Sequence, residues 1–345
     1  MIPAPFLLYL GHSDDEVGIK TSRGLATFRG ADCVGEWRHD DCPLTLGLPL
    51  MDVAQARAES ARTLVLGIAN AGGTLGEALV RDALVAIAAG LNVASGLHHR
   101  LRDEPRLVRA AEQAGVALFD VRDPPPDLPV GNGRPRAGNR LLTVGTDCSV
   151  GKMYATLALH DALRRRGIAA DFRATGQTGI LIAGSGVPLD AVVADFISGA
   201  IEVLTPARSD DGWDLIEGQG SLFHPSFAGV STGLLHGAQP AAILLCHDPS
   251  RAHMRGLPHF QLPGLAACLA ANLAVARLTS PAVQAVGIAL NTVKLGEDEA
   301  RRLCADTGDA LGLPCTDPFR FGADPIVDRM LQCFAPSSPP ISASA

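Results

Sequence analysis

Aromatic side chains are scarce in this 345-residue chain, at 4% of the residues. Its core must therefore be packed from Ala, Leu and Val, which suits an α/β protein with 47% hydrophobic residues and 37 glycines. An excess of positive charge is also missing. The formal net charge of −7 argues against a nucleic-acid partner gripped through its phosphates. No run of eighteen apolar residues occurs, so no spanning helix and no membrane partner are expected. There is no CxxC pair. Eight cysteines dispersed along the chain read as reduced thiols of a cytoplasmic protein, not as a disulfide scaffold. The ten histidines include His98–His99 and the series His247, His253, His259, but no HExxH, and no metal site is assigned. The opening "MIPAPFLLYLGHSDDE" lacks a basic n-region and reads as a first strand rather than a signal peptide.

What is present is alternation. The length suggests two domains. A Pro- and Gly-rich stretch, "VRDPPPDLPVGNGRPRAGNR", separates two series of strand and helix patterns. The expected layout is a domain over 1–125, a linker over 126–139, a second domain over 140–335 and a loose tail over 336–345. In the first half "FLLYLG", "TLVLGIA", "LNVASG" and "VALFDV" read as strands, and residues 76–90 and 105–115 as helices. After the linker "RLLTVG", "IAADFRA", "WDLIEGQG", "PAAILLCH" and "AVQAVGIALN" read as strands. The segments from Gly151, from Leu189 ("LDAVVADFISGAIEVL"), from Leu262 and from Glu297 read as helices. The pattern predicts α/β architecture in two domains, each a mostly parallel sheet with flanking helices. The Gly-rich "GIANAGGTLGE" of the first half is not GxGxxG and carries only a weak suggestion of a dinucleotide turn.

The most informative stretch is "LLTVGTDCSVGKMYATLALH". Gly145, Thr146, Asp147, Cys148, Ser149, Val150, Gly151 and Lys152 match GxxxxGK in full, between a strand and a long helix. Successive backbone N–H groups of such a loop wrap a phosphate, the helix N-terminus adds a positive field, and Lys152 supplies a point charge. Met153 stands where nucleotide hydrolases carry the Ser or Thr that holds Mg²⁺, and Thr156 is almost a turn away. Such a loop can grip a phosphate without cutting it, and the ADP end of coenzyme A offers phosphates of this kind. Cys148 lies in a field that favours thiolate; a small loop filler is its plainer role.

Two carboxylates follow. Glu217 ends the strand "WDLIEG" at the ligand edge of a parallel sheet, and Asp195 lies in "AVVADFISGA"; either suits a metal or a base, the plainer reading of Asp195 being a solvated helix residue. His224, in "GSLFHPSF", is a further base candidate, though a lone His is more often structural. Arg173, Thr175 and Gln177 follow the second strand of this half, and Arg251, His253 and Arg255 crowd the loop "HDPSRAHMRGLPHF". A guanidinium from either group suits a substrate carboxylate, against the ordinary fate of a surface ion pair.

Together "TVGTDCSVGKMY", "DFRATGQTGILIAG", "VVADFISGA", "IEGQGSLFHPSFAGVS", "HMRGLPH", "GIALNT", "GLNVASGLHHRL" and "FDVRDPP" resemble the D-glutamate N-acetyltransferase family over almost the whole chain. The resemblance implies a Rossmann-like first half, a P-loop NTPase-like second half, acetyl-CoA as co-substrate, D-glutamate as a small-molecule substrate, a homo-oligomer and a pathway-partner dehydrogenase. The second half is also similar to dethiobiotin synthetase, which shares GTDxxVGK, a downstream Asp, an EG turn and an Asn after a late strand. Carried over by position, Asn291 matches the base-reading Asn, and Asp195 and Glu217 match the metal carboxylates. Dethiobiotin synthetase has Thr where this chain has Met153, so Mg-ATP enters only under a rival reading as an ATP-dependent ligase or carboxylase; a nucleotide-binding sensor without turnover is a third.

Overall fold

The computed structural model describes residues 2–69 and 71–334, so the tail expected over 336–345 lies outside the described residues. The chain forms two compact units. One comprises 1–126 together with 174–191; the other comprises 127–173 with 192–345.

In the first unit β1 (Phe6–Gly11), β2 (Cys33–Arg38), β3 (Thr63–Leu66), β4 (Asn92–Ser95) and β5 (Leu118–Asp120) form a parallel sheet in the order β2-β1-β3-β4-β5. Its helices are α1 (Lys20–Phe28), α2 (Val53–Ala58), α3 (Glu77–Ala88) and α4 (Pro105–Ala114). Local chemistry sets their ends. Asp52 and Gln55 make a reciprocal capping box on α2, while α4 opens on Glu104 with Pro105 in its first turn and closes on left-handed Gly115. Every residue of β1 is buried, and alternate side chains serve opposite faces. Leu7 and Tyr9 join Val80, Ala83, Ile87 and Leu107, whereas Phe6 and Leu8 join Leu25, Val65 and Ala94.

The second unit centres on β6 (Asn139–Gly145), followed by α5 (Lys152–Arg165) and β7 (Ala170–Arg173). The chain then leaves it. Helix α6 (Gln177–Ala183) packs in the first unit, where Leu181 completes the face lined by Phe6 and Leu8, and Thr178 Oγ1 meets Thr21 Oγ1 at 2.9 Å. The second domain is therefore not the continuous stretch expected over 140–335. On return come α7 (Ile197–Leu204), β8 (Trp213–Ile216), α8 (Ala228–Ala238), β9 (Ala242–His247), the hairpin β10 (His253–Met254) and β11 (Leu257–Gln261), α9 (Leu265–Arg277), β12 (Gln284–Leu290), α10 (Glu297–Leu311), β13 (Cys315–Thr316) and α11 (Asp324–Cys333). The main sheet runs β13-β12-β9-β6-β8-β7, all parallel, with β6 between β9 and β8.

Two expectations change. The single helix over 189–204 is two short 3₁₀ turns followed by α7, because the chain crosses between units at residues 191 and 192. The linker has no regular secondary structure up to residue 138 but is tied to the second unit. Glu202 accepts from the backbone N–H groups of Asn132 and Gly133 at 2.9–3.1 Å, and Arg136 donates to the carbonyls of Thr205 (2.9 Å) and Gly237 (2.7 Å).

Candidate active site

Strand β6 delivers the loop from Thr146 to Gly151 straight onto the N-terminus of α5. Ser149 (φ +54°) and Gly151 (φ +98°) adopt left-handed backbone, the curvature that turns consecutive N–H groups inward into a nest. Gly145 is also required. A Cβ there would lie 2.8 Å from Val150 Cγ2 and 3.2 Å from Lys152 Nζ. Lys152, one of three lysines in the chain, is buried, and its Nζ donates to the carbonyls of Asp147 (2.8 Å) and Gly220 (2.9 Å).

The neighbouring strands brace this loop. Next to β6, β8 ends at Ile216 and places buried Glu217 at the sheet edge. Gly218 N donates to Thr143 Oγ1 at 2.9 Å, and a Cβ on Gly218 would overlap the Thr143 carbonyl oxygen. On the other side, His247 at the end of β9 meets Thr146 Oγ1 at 2.9 Å, and burial holds its imidazole below the usual pKa. Asn291, just after β12, donates its backbone N–H to the His247 carbonyl, and its Cβ stands 3.5 Å from where a Gly151 side chain would begin. The Asn assigned to base reading thus borders the loop.

Asp147 is fully buried and organises the loop from inside. Its carboxylate accepts from Cys148 N (2.6 Å), from Arg255 N (2.7 Å) and from Arg251 (3.2 Å). Arg251 also donates to the carbonyls of Cys148 and Ser149 and pairs with Asp248, while the Arg255 side chain donates to Ser149 Oγ at 3.1 Å. Arg251, expected to receive a substrate carboxylate, instead clamps the phosphate loop and commits its donors there, while Arg255 joins the clamp through its backbone N–H and one guanidinium contact. The exposed Arg255 and His253 retain the openness that role needs. Sequence order concealed this clamp because Arg251 and Asp147 lie 104 residues apart.

The other candidates separate. His224 is buried, accepts from Ser226 N at 3.1 Å, and lies with Asp147 and Cys148 so that one ligand-capable atom of each falls within 4.8 Å of the others. Arg173 is drawn off into an ion-pair network with buried Asp214 (2.8 Å) and Asp171 (3.4 Å), which corrects its reading as a free clamp. Thr175 and Gln177 fall in the segment that packs with the first unit, Gln177 filling the space beside Gly96. Asp195 is exposed on a short 3₁₀ turn. Among the described residues, the two clusters of three His, Cys, Asp or Glu groups able to surround an ion include neither Asp195 nor Glu217. Thr156 donates to the Lys152 carbonyl (2.7 Å) and meets Thr143 Oγ1 (3.0 Å), so it does not replace the hydroxyl missing at Met153. No helix among the described residues is long and apolar enough to cross a membrane.

A parallel sheet whose central strand runs into GxxxxGK, joined to a doubly wound parallel domain, defines a two-domain α/β protein of the P-loop class. Comparison with known proteins agrees domain by domain. Residues 31–124 match the family described as "Domain of unknown function (DUF1611_N) Rossmann-like domain", and residues 129–327 match "Domain of unknown function (DUF1611_C) P-loop domain". The chain belongs to this DUF1611 family. It is 48% identical over 330 residues to a D-glutamate N-acetyltransferase of Tritonibacter scottomollicae, covering 96% of this chain and 99% of the relative. It is 47% identical over 329 residues to a D-glutamate N-acetyltransferase of a Pseudoalteromonas species, covering 95% and 99%. The crystal structure of a DUF1611 family protein from Anabaena variabilis matches with a TM-score of 0.88 at 35% identity, over 96% of this chain and 100% of that one.

Proposed function

We propose that this chain is an N-acetyltransferase that moves the acetyl group of acetyl-CoA to the amine of D-glutamate. The observation that carries the activity is the 48% identity, over nearly the full length of both chains, to a protein named for that reaction. The choice of donor rests on the loop. Its backbone nest and Lys152 suit a diphosphate, while Met153 removes the hydroxyl that would hold Mg²⁺ for phosphate cleavage. In this reading the substrate amine attacks the thioester carbonyl, the coenzyme thiolate leaves, and the ammonium proton passes to a carboxylate. Of the two carboxylates considered, Glu217 is the better base. It is buried at a strand end beside the phosphate loop, whereas Asp195 is exposed on a 3₁₀ turn. Arg255 supplies the positive charge for the substrate carboxylates, and His253 stands beside it as a ring N–H donor.

The test supplies D-glutamate with acetyl-CoA in one arm and with Mg-ATP in the other, and follows free thiol, ADP and product mass. Thiol release matched by acetylated glutamate is expected. ADP formation without thiol release would replace this reading by the ligase. In Glu217→Gln, a fall in kcat with an unchanged KM for acetyl-CoA marks the base; a rise in that KM places Glu217 with the coenzyme instead.

A further inference from the structure

The first unit carries a cluster that plays no part in this proposal. Strands β1 and β2 are parallel neighbours, and the His39 N–H donates to the Gly11 carbonyl at 3.0 Å, which sets His12 and His39 side by side just beyond their C-terminal ends. The imidazoles are stacked, with centroids 4.0 Å apart and planes 3° from parallel. Asp82 reaches them from α3, with its Oδ2 2.8 Å from His39 Nε2. One ligand-capable atom from each of His12, His39 and Asp82 lies within 4.8 Å of the others.

Two further groups orient these ligands. Asp41 faces His12 Nδ1 at 2.7 and 3.0 Å. A carboxylate oxygen accepts a hydrogen bond from a ring N–H, so the tautomer that satisfies this contact carries its hydrogen on Nδ1 and presents Nε2 as the ligand atom. Buried Tyr9 donates its hydroxyl to Asp82 Oδ2, and packs edge-on against Trp37 at 5.2 Å. A carboxylate on one ring nitrogen of a ligand histidine, and a donor on a ligand carboxylate, are the usual supports of a metal site.

We propose that His12, His39 and Asp82 bind a divalent metal ion of the zinc class, with Asp41 and Tyr9 as positioning residues. Two imidazoles and one carboxylate select a transition metal over Mg²⁺ or Ca²⁺, which prefer all-oxygen shells. Tetrahedral ligands about 2.1 Å from zinc sit roughly 3.4 Å apart, so His39 Nε2 and Asp82 Oδ2, now 2.8 Å apart, have to open slightly. Because a ring nitrogen's lone pair lies in the ring plane, the His12 ring has to turn out of its stack on His39 to face the same ion. His12, with 48% of its side chain exposed, has the freedom to do so. The ion takes the place of the proton between His39 Nε2 and Asp82. Three protein ligands leave a fourth position for water or a small ligand, at the strand ends where open parallel sheets bind their ligands.

The test uses the full-length protein, stripped with chelator and titrated with Zn²⁺ by calorimetry, with circular dichroism to check folding. One ion per chain is expected, with binding lost in His39→Gln and Asp82→Asn. Asp41→Asn should weaken it about ten- to hundredfold, because it disturbs only the orientation of His12. Cys148→Ser controls for the second three-residue cluster and should bind zinc as the wild type does. Substitution with Co²⁺ adds an independent reading. Nitrogen and oxygen ligands give d–d bands alone, whereas a thiolate-to-cobalt charge-transfer band would assign the ion to Cys148 and overturn the proposal. Absence of binding to the folded wild type, or wild-type affinity in folded His39→Gln, would overturn it equally.

Discussion

The two parallel sheets present opposite kinds of chemistry at their C-terminal edges. Beyond β6 the groups are mostly main chain: left-handed Ser149 and Gly151, the carbonyls that hold Lys152, and an aspartate buried beneath the loop. Beyond β1 and β2 they are side chains, two stacked imidazoles and a carboxylate backed by Tyr9 and Trp37. A backbone nest suits a diffuse anion and tolerates little change of shape, because its atoms belong to the fold. A side-chain cluster suits a compact cation and tolerates replacement of any one member without loss of the sheet. Substitutions should therefore act differently at the two edges.

The largest effect is expected at Lys152. Lys152→Ala removes the charge meant for a phosphate and leaves the Asp147 and Gly220 carbonyls without a donor. Loss of a charged partner costs about 2–5 kcal/mol, so affinity for coenzyme A measured by calorimetry should fall on the order of thirtyfold or more. Equal affinity in a folded variant would remove the loop from the ligand.

Next come two glycines that set a rigid obstacle against a soft one. At Gly218 an added Cβ would overlap the Thr143 carbonyl; at Gly67 it would come equally close to the Ser22 hydroxyl. Gly218→Ala should cost about 1–3 kcal/mol or more, since a strand backbone cannot step aside. Gly67→Ala should cost somewhat less, because the hydroxyl can rotate away, although the Ser22 Cβ and backbone N at 2.7 and 2.9 Å still have to shift. Thermal unfolding checks the order, at ~2–4 °C per kcal/mol for domains of this size.

The smallest effect concerns pH. Burial lowers the pKa of His247, so protonation favours the unfolded chain. Its contribution is complete above the ordinary histidine value of about 6.5 and declines as pH falls toward and through the depressed folded value. Urea midpoints measured between neutral and mildly acidic pH should show this decline, and His247→Asn should flatten it. An unchanged slope would mean that His247 does not report on the phosphate-loop edge.

The same contrast explains what could be read in advance. The GxxxxGK loop was legible because a nest is built from consecutive residues, and β1, α4 and β6 because burial and helix caps are local. The metal cluster was not, since His39 and Asp82 lie 43 positions apart and only the strand order brings them together. Strand β2, "CVGEWR", escaped notice because it is an edge strand with only its two central residues buried. The fate of Arg173 turned on Asp214, 41 residues away on the next strand. The segment that forms α6 was read only as the loop after β7, because three glycines within 176–184 mask its helical spacing and its apolar residues do not say which sheet they cover.

That borrowed helix has a consequence for how the chain is made. Polypeptides leave the ribosome N-terminus first, and domains tend to fold in that order. Here the first unit cannot cover Phe6 and Leu8 with Leu181 until α6 has emerged, by which time β6 and β7 of the second unit are already outside the tunnel. Two unfinished sheets therefore coexist during synthesis. A fragment cut at residue 126 would keep that apolar face bare permanently, and the complementary fragment would carry α6 with nothing to cover. The polypeptide is divisible by compactness but not by scissors.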